Sequence, residues 1–138
     1  MKLGMSEILS KVEKTKGHKA RVALLREEFS KPFAQVLAFA YDPRVVWELP
    51  DTDPPFTPLE TGEAQGMLYT EARKLYLFVR GGSGSQIPKH KREHLFIQLL
   101  ESIDPEDAKL VLAAKNKKIP YRGITQKLIE ESYGTFSG

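Results

Sequence analysis

Apolar residues recur every three or four positions along most of the chain, a spacing that predicts amphipathic α-helices. The predicted helices cover residues 7–15, 18–29, 33–41, a short stretch after 43, 70–80, 89–102, 105–115 and a last stretch from 124. Strand-like alternation is almost absent, and there is no internal repeat. The pattern therefore predicts an all-α fold, a compact multi-helix domain of roughly six to eight helices.

Local signals mark the starts of several of these helices. Ser30, Asp42 and Asp104 can each accept a hydrogen bond from a helix-start amide, and a proline follows each of them closely. Ser6 is predicted to cap the first helix, and Gly17 to turn the chain between the first two helices. These signals predict where the helices begin better than where they end.

The apolar faces of the helices predict one shared core. Its predicted members are Leu25, Phe33, Leu37, Phe39, Leu75, Phe78, Phe96, Leu99 and Leu110. The helix 33–41 is apolar nearly all round, which favours a central position. Trp47 and Tyr76 are expected to belong to the core rather than to a base-stacking surface, because only Tyr121 lies among cations.

Two segments interrupt the helical pattern. Residues 49–65 form a proline-rich, acidic loop, long enough to wrap the surface or to serve a partner. Residues 81–88 are rich in glycine and serine, a composition typical of a flexible linker but too short to separate domains. At 138 residues the chain fits one core, so residues 1–138 are predicted to form a single helical domain.

Charge is distributed unevenly, although the net charge of +3 is mild. Residues 1–31 are rich in lysine and arginine, residues 42–71 are acidic with Arg44 as their one cation, and residues 108–129 contain no acid. This order can produce one positive and one negative face on the folded domain. The other interpretation is that these charges are ordinary solvated surface.

The residues typical of catalytic and metal sites are scarce. There is no cysteine, which excludes disulfides and thiolate metal sites, and no phosphate-binding glycine loop or nucleophile elbow is present. His90 and His94 have the spacing of two metal ligands, but Lys91 and Arg92 between them oppose a dication. We expect no enzymatic activity, no cofactor and no metal. Without an apolar span of membrane length, the protein is expected not to enter membranes and to act in the cytoplasm.

One basic segment can carry a binding function. It combines cations with a tyrosine and a Gly-Ile-Thr helix start; its candidate contacts are Lys115, Lys117, Lys118, Tyr121, Arg122, Gly123, Ile124, Thr125 and Lys127. Free amides and a positive dipole at a helix start favour phosphate, and Gly123 permits close approach. The alternative is a basic end to the preceding helix, with Pro120 and Gly123 as plain turn residues.

The order of these elements resembles the helical N-terminal DNA-binding domain of phage-type ATP-dependent DNA ligases. The likeness rests on residues 8–12, 19–29 and 33–41, on Gly66-Met-Leu68, and on the closing segment 118–133. Residues 99–109 and 118–125 are more specifically similar to a family of small, functionally uncharacterised proteins of T-even-type tailed phages, including cyanophages. The resemblance implies the fold and backbone-directed DNA binding, with Gly123-Ile-Thr125 at the helix start that faces the DNA backbone. The acidic segment 50–63 departs from the ligase pattern, and no Lys-x-Asp-Gly adenylation motif is present, which excludes ligation.

Two functions follow as expectations. The first is non-catalytic, largely sequence-independent binding of double-stranded DNA, as an accessory factor in phage replication, repair or transcription in the host cytoplasm. Lys16, Lys19 and Arg21 would supply a second contact to the phosphate backbone. The second is a protein-interaction module, either a virion component or an adaptor to phage or host replication or transcription proteins, which keeps the fold without binding DNA and uses the acidic segment 48–63.

Overall fold

A computed structural model describes residues 3–59, 67–82, 84 and 86–134. In this part of the chain there are seven α-helices and a 3₁₀ helix. The helices are α1 (Met5–Lys14), α2 (His18–Glu27), α3 (Lys31–Tyr41), α4 (Met67–Glu71), the 3₁₀ helix (Ala72–Phe78), α5 (Lys89–Glu101), α6 (Pro105–Lys115) and α7 (Gln126–Tyr133). No strand longer than a single bridge occurs among the described residues, so the all-α prediction is confirmed.

Helix α3 lies at the centre of the fold and packs against α4, α6, α7 and the 3₁₀ helix. It carries five buried residues within eleven positions, as expected for a segment that is apolar nearly all round. The nine residues from Leu25 to Leu110 predicted for the core are all buried in one hydrophobic cluster to which every helix contributes. Tyr76, also expected in the core, is instead 49% exposed. Removing Phe33 or Leu99 from that cluster would lose both burial and contacts, about 2–5 kcal/mol for each truncation to Ala.

Two of the three proline-linked caps are confirmed. The Ser30 hydroxyl accepts a hydrogen bond from the Phe33 amide at 3.2 Å, and the Asp104 carboxylate accepts one from the Glu106 amide at 3.0 Å. Helix α1 begins two residues earlier than the Ser6 cap requires, with Gly4 at its N-cap. The amide of Ser6 is instead satisfied from a distance, by the buried carboxylate of Asp107 in α6 at 3.0 Å.

The predicted short helix after Asp42 is wrong. Asp42 ends α3, and its carboxylate accepts hydrogen bonds from the amide and guanidinium of Arg44. The chain then runs extended, because the Glu48 amide bonds to the Phe78 carbonyl and the Arg80 amide to the Val46 carbonyl, both at 2.7 Å. Pairing with a distant segment has overridden the local helix signal.

The predicted helix 70–80 is split into α4 and the 3₁₀ helix. The side-chain amide of Gln35 in α3 donates to the Ala72 carbonyl at 3.0 Å. In a continuous α-helix, that carbonyl would accept from the amide of residue 76. The tighter helix therefore occurs where α3 contacts the backbone of this segment.

The described part of the Gly/Ser-rich loop is packed against the domain rather than extended as a linker. Gly84 is buried, and a Cβ at this position would lie 2.2 Å from the Leu77 carbonyl oxygen. The Arg92 guanidinium donates to the carbonyls of Gly84 and Ile87 at 3.1 and 3.0 Å. Glycine is needed here for close backbone approach, which corrects the linker interpretation. Residues 60–65 of the proline-rich segment lie outside the described residues.

Candidate functional site

The basic segment begins where α6 ends, in a Schellman turn. The Lys118 amide donates to the Ala113 carbonyl at 2.9 Å, and the Lys117 amide donates to the Ala114 carbonyl at 3.1 Å. Lys117 has a φ of 58°, the left-handed conformation that glycine usually adopts at this position. The predicted basic helix end is therefore present, and the question is which cations remain available to a ligand.

Lys115 is not available. Its side chain is only 3% exposed, and the ammonium donates to the Pro50 carbonyl at 3.0 Å and to the Asn116 side-chain oxygen at 2.9 Å. Asp53 lies 3.4 Å from the same nitrogen. Lys115 therefore anchors the proline-rich segment to α6. Its inclusion among the phosphate contacts is corrected, because a buried ammonium with these partners cannot also reach a phosphate.

Lys117 is also committed to the protein. Its ammonium donates to the carbonyls of Phe39 and Asp42, each at 2.8 Å, at the C-terminal end of α3. Desolvation lowers the pKa of Lys117, while the nearby Asp42 carboxylate opposes that change. A cation at a helix C-terminus satisfies carbonyls that have no partner within the helix. Its assignment to a phosphate is corrected for this reason.

Gly123 and Arg21, predicted from distant parts of the sequence, are in direct contact. A Cβ placed on Gly123 would lie 2.0 Å from Nη1 of Arg21. Arg21 also donates through Nε to the Thr15 carbonyl at 2.8 Å and through Nη2 to the Glu13 carbonyl at 3.1 Å. The space that a Cβ would fill at Gly123 is therefore occupied by the guanidinium of Arg21 and not open to a ligand. This contact joins the turn between α1 and α2 to the loop before α7.

Some backbone amides in and just after the loop before α7 donate to acceptors in the protein, and others have no acceptor among the described residues. The Arg122 amide donates to the Glu13 carboxylate at 2.6 Å, so it is not free for a phosphate. Thr125 caps α7, and its hydroxyl accepts from the Leu128 amide at 3.2 Å. The amides of Gln126 and Lys127, at the first two positions of α7, have no acceptor among the described residues. A helix start with its positive dipole end is therefore exposed beside the loop.

Two basic side chains of α2, His18 and Arg26, contact α7. His18 at the start of α2 contacts the Glu131 carboxylate, and Arg26 donates to the carbonyls of Glu131 and Ser132 at 3.0 and 3.2 Å. Lys127 lies four residues before Glu131 and so on the same side of α7. The contacts of Arg21 with Gly123 and of His18 with Glu131 bring the start of α2 close to the loop before α7 and to α7 itself. We define the cations of these joined segments as the basic face: Lys16, Lys19, Arg21, Arg122 and Lys127.

Three further predicted residues, in addition to Lys115 and Lys117, lie outside the basic face. Lys118 is exposed and lines a groove of about 880 Å³ beside Trp47, at the C-terminal end of α3. Ile124 is 5% exposed and belongs to the core, and its carbonyl accepts from the Tyr41 hydroxyl at 2.9 Å. Tyr121 is half-buried in a second groove, next to α1. Ile124 therefore positions the loop rather than contacting a ligand through its side chain.

Two exposed lysines of α1 were missed. Lys11 and Lys14 line the same groove as Tyr121. In the sequence they are three positions apart on the polar side of a predicted helix, the spacing that places two side chains side by side. Only the tertiary structure shows that this side of α1 faces the loop that contains Tyr121.

The acids of the middle segment are largely paired with cations of the protein. Asp53 pairs with Lys115, Glu48 lies 3.3 Å from Arg80, and Asp42 lies 3.0 Å from Arg44. The hydrogen bond from Arg44 holds the pKa of Asp42 below its usual value. Much of the expected negative face is therefore neutralised within the described part of the chain.

The described residues offer no group of three or more side chains suited to hold a metal ion. His94 lies beside Gln98, with 3.3 Å between Nε2 of the imidazole and Nε2 of the amide. Within the same residues, no helix has both the length and the apolar character needed to cross a membrane.

A family model matches residues 8–121, most of the chain. The chain belongs to DUF6433, a family of unknown function. The matched region includes the α1–α2 turn, α6 and the loop as far as Tyr121. It ends two residues before Gly123, which contacts Arg21 of α2. No curated protein and no solved structure matches the chain.

Proposed function

We propose that this protein binds double-stranded DNA through the phosphate backbone, without catalysis and largely without regard to sequence. The resemblance to phage ligase domains and to small phage proteins leads us to propose an accessory role in phage replication, repair or transcription, in the cytoplasm of the host cell. The proposal rests on the basic face and on the start of α7 beside it.

The observation that carries the proposal is the contact between Arg21 and Gly123. It joins the segment that carries Lys16, in the α1–α2 turn, and Lys19, in the first turn of α2, to the loop that presents Arg122. Cations from two separate parts of the chain thereby share one side of the domain. Phosphate recognition needs clustered cations and exposed amides, and it needs no contact with base edges.

The same geometry limits the expected affinity. Lys16, Lys19, Arg122 and Lys127 make no ion pair with any described residue, but Arg21 donates to two backbone carbonyls and Glu13 lies next to Arg122. Each neutralised phosphate contributes only part of the counterion-release term. We therefore expect weak binding that is strongest at low salt.

A salt titration of binding to a duplex of about 20 base pairs tests the proposal, with fluorescence anisotropy as the readout. The logarithm of affinity should fall linearly with the logarithm of salt concentration, with a slope of about 0.9 per phosphate neutralised. Two duplexes of different sequence should give similar affinities, because backbone contacts do not read bases.

The decisive variant is K16A/K19A/R122A, with R73A/K89A/K91A as its matched control. Each variant removes two lysines and one arginine that are exposed, but the control residues lie on the 3₁₀ helix and α5. The first variant should reduce the slope by up to about 0.9 per cation, and the control should reduce it much less. Equal slopes for the two variants would disprove the assignment of the basic face.

A protein-interaction module is the second candidate, and one observation favours it. Val46 and Tyr76 are 38% and 49% exposed, and Val46 lines the groove of about 880 Å³ with Trp47. Exposed apolar side chains around a groove are typical of protein docking sites. The acidic segment supports this function less, because Asp53 and Glu48 already have cationic partners in the protein. Absence of duplex binding at low salt would favour this candidate.

A further inference from the structure

The groove beside Tyr121 differs from the flat basic face next to it. It measures about 620 Å³ and lies between α1, the start of α6 and the loop before α7. Its lining includes Ser10, Lys11 and Lys14 along α1, Tyr121 opposite them, and Glu7 and Glu106. This volume is that of a small-molecule site, far too small for a duplex.

The groove is electrostatically polarised. Glu7 accepts a hydrogen bond from the Gly4 amide at 2.9 Å, and Glu106 lies 3.4 Å from the Lys109 ammonium, so both acids have partners. The ammonium groups of Lys11 and Lys14 have no acceptor among the described residues. One part of the groove therefore offers two unpaired cations, and the other offers carboxylates that can still accept hydrogen bonds.

Tyr121 supplies an aromatic surface to the same groove. Burial raises the pKa of its hydroxyl, with smaller contributions from Glu106 and Asp107, so the ring stays neutral. The ring shares this groove with Lys11 and Lys14, and bases of single-stranded nucleic acids stack on aromatic side chains in positively charged grooves. Every base has a π-face, so such a site tolerates sequence.

We infer that this groove binds an unpaired nucleotide at the end of a DNA duplex, with the base on Tyr121 and its phosphates on Lys11 and Lys14. The inference rests on the proposed function, because Arg122 of the basic face follows Tyr121 directly in the chain. A duplex bound to the basic face with its end at Arg122 would place that end next to the groove. We therefore expect the protein to bind a duplex with a short single-stranded overhang more tightly than a blunt duplex.

Anisotropy titrations with three probes at one salt concentration test this inference: a blunt duplex, the same duplex with a three-nucleotide overhang, and the overhang strand alone. The wild-type protein should bind the overhang duplex roughly five- to a hundredfold more tightly than the blunt one, the effect of stacking about one base. Y121L should abolish this preference while leaving blunt-duplex affinity unchanged. Y121F keeps the ring and should keep the preference, and thermal unfolding checks that both variants fold.

The possible outcomes separate the two proposals. Equal wild-type affinities for the blunt and overhang duplexes would overturn the groove assignment and leave duplex binding in place. Binding of the single strand but not of the blunt duplex, lost in Y121L, would support the groove and overturn the proposed function. No binding of any probe would overturn both. K11A/K14A should weaken overhang binding more than R73A/K89A does, and equal losses would contradict the phosphate assignment.

Discussion

The Lys117 ammonium lies 2.8 Å from the Phe39 carbonyl oxygen and joins the end of α6 to the end of α3. The same residue has a φ of 58°, which costs a residue with a Cβ roughly 1 kcal/mol relative to glycine. Glycine adopts a positive φ at other turns, such as Gly123 and Gly134, whereas Lys117 adopts it while its ammonium donates to two carbonyls at the end of α3. Two central helices are thus connected through one side chain that looked from the sequence like a free cation.

Replacing Lys117 separates the contribution of its hydrogen bonds from the cost of its left-handed backbone conformation. K117A should lose the two hydrogen bonds to carbonyls and destabilise the protein by about 1–3 kcal/mol. K117G loses the same bonds but removes the strain, so it should be more stable than K117A by about 1 kcal/mol. Urea unfolding measures both values, and a K117A protein as stable as K117G would show that the left-handed conformation carries no cost. Neither variant should change the salt slope of duplex binding.

Replacing Gly123 tests its contact with Arg21. G123A places a Cβ 2.0 Å from the guanidinium, at a φ of 77°. Gly81 is the matched control, because its φ is 79° and nothing lies within 4 Å of the added Cβ. G81A should cost about 1 kcal/mol from backbone strain alone. G123A should cost more, because the guanidinium of Arg21 must move away and give up its hydrogen bonds to the carbonyls of Thr15 and Glu13.

A double-mutant cycle isolates the contact itself. In an R21A background, the additional cost of G123A should fall towards that of G81A, because the atom that the Cβ meets has been removed. Additive free energies of unfolding for R21A and G123A would contradict the contact.

Replacing Lys115 tests its role as an anchor. K115M keeps the apolar stem but leaves the Pro50 carbonyl without its donor, so a loss of about 1–3 kcal/mol is expected. Chymotrypsin should then cleave more rapidly after Phe56, because the proline-rich segment loses its attachment to α6. K109M is the control on the same helix, since that exposed ion pair contributes little. Unchanged cleavage in K115M would refute the anchoring role.

Replacing Asp107 tests a pH dependence. This carboxyl is 1% exposed, and burial raises its pKa, while hydrogen bonds from the Ser6 amide and side chain oppose that change. At pH values between the ordinary pKa of an aspartate and the raised pKa of Asp107, this carboxyl keeps its proton in the folded protein but has lost it in the unfolded chain. The stability due to this group is therefore present below the ordinary value of about 4 and is lost as pH rises through the raised pKa.

The variant D107N cannot titrate but keeps an oxygen that accepts from Ser6. Relative to wild type, its free energy of unfolding should therefore rise from about pH 4 upwards, as the pH passes through the raised pKa of Asp107. D107A removes the acceptor and should cost about 1–3 kcal/mol across the range. Parallel stability curves for wild type and D107N, measured by urea unfolding at several pH values, would show that Asp107 does not titrate abnormally.

The sequence by itself determined the helical class, the buried faces and the best-capped helix starts. Helix periodicity and capping depend on residues within one or two turns of each other, as at Ser30 and Asp104, so local pattern is sufficient to predict them. The core prediction succeeded for the same reason, because Phe33 and Leu99 lie on apolar helix faces that must be buried somewhere.

Only the tertiary structure decided which cations of the basic segment are free. Lys115, Lys117 and Arg122 look equivalent in the sequence. The Lys115 ammonium, however, is bound by the carbonyls of Pro50 and Thr52, at least 63 positions away. The Lys117 ammonium is bound by the carbonyls of Phe39 and Asp42, at least 75 positions away. Such carbonyls have no side-chain signature, because every residue carries one. The same holds for the extended segment after Asp42, whose pairing with Phe78 and Arg80 overrode a sound local helix signal. Interactions within one or two turns of the chain determine where the helices form. Hydrogen bonds to backbone groups far away in the sequence determine which charged side chains are free to bind a ligand.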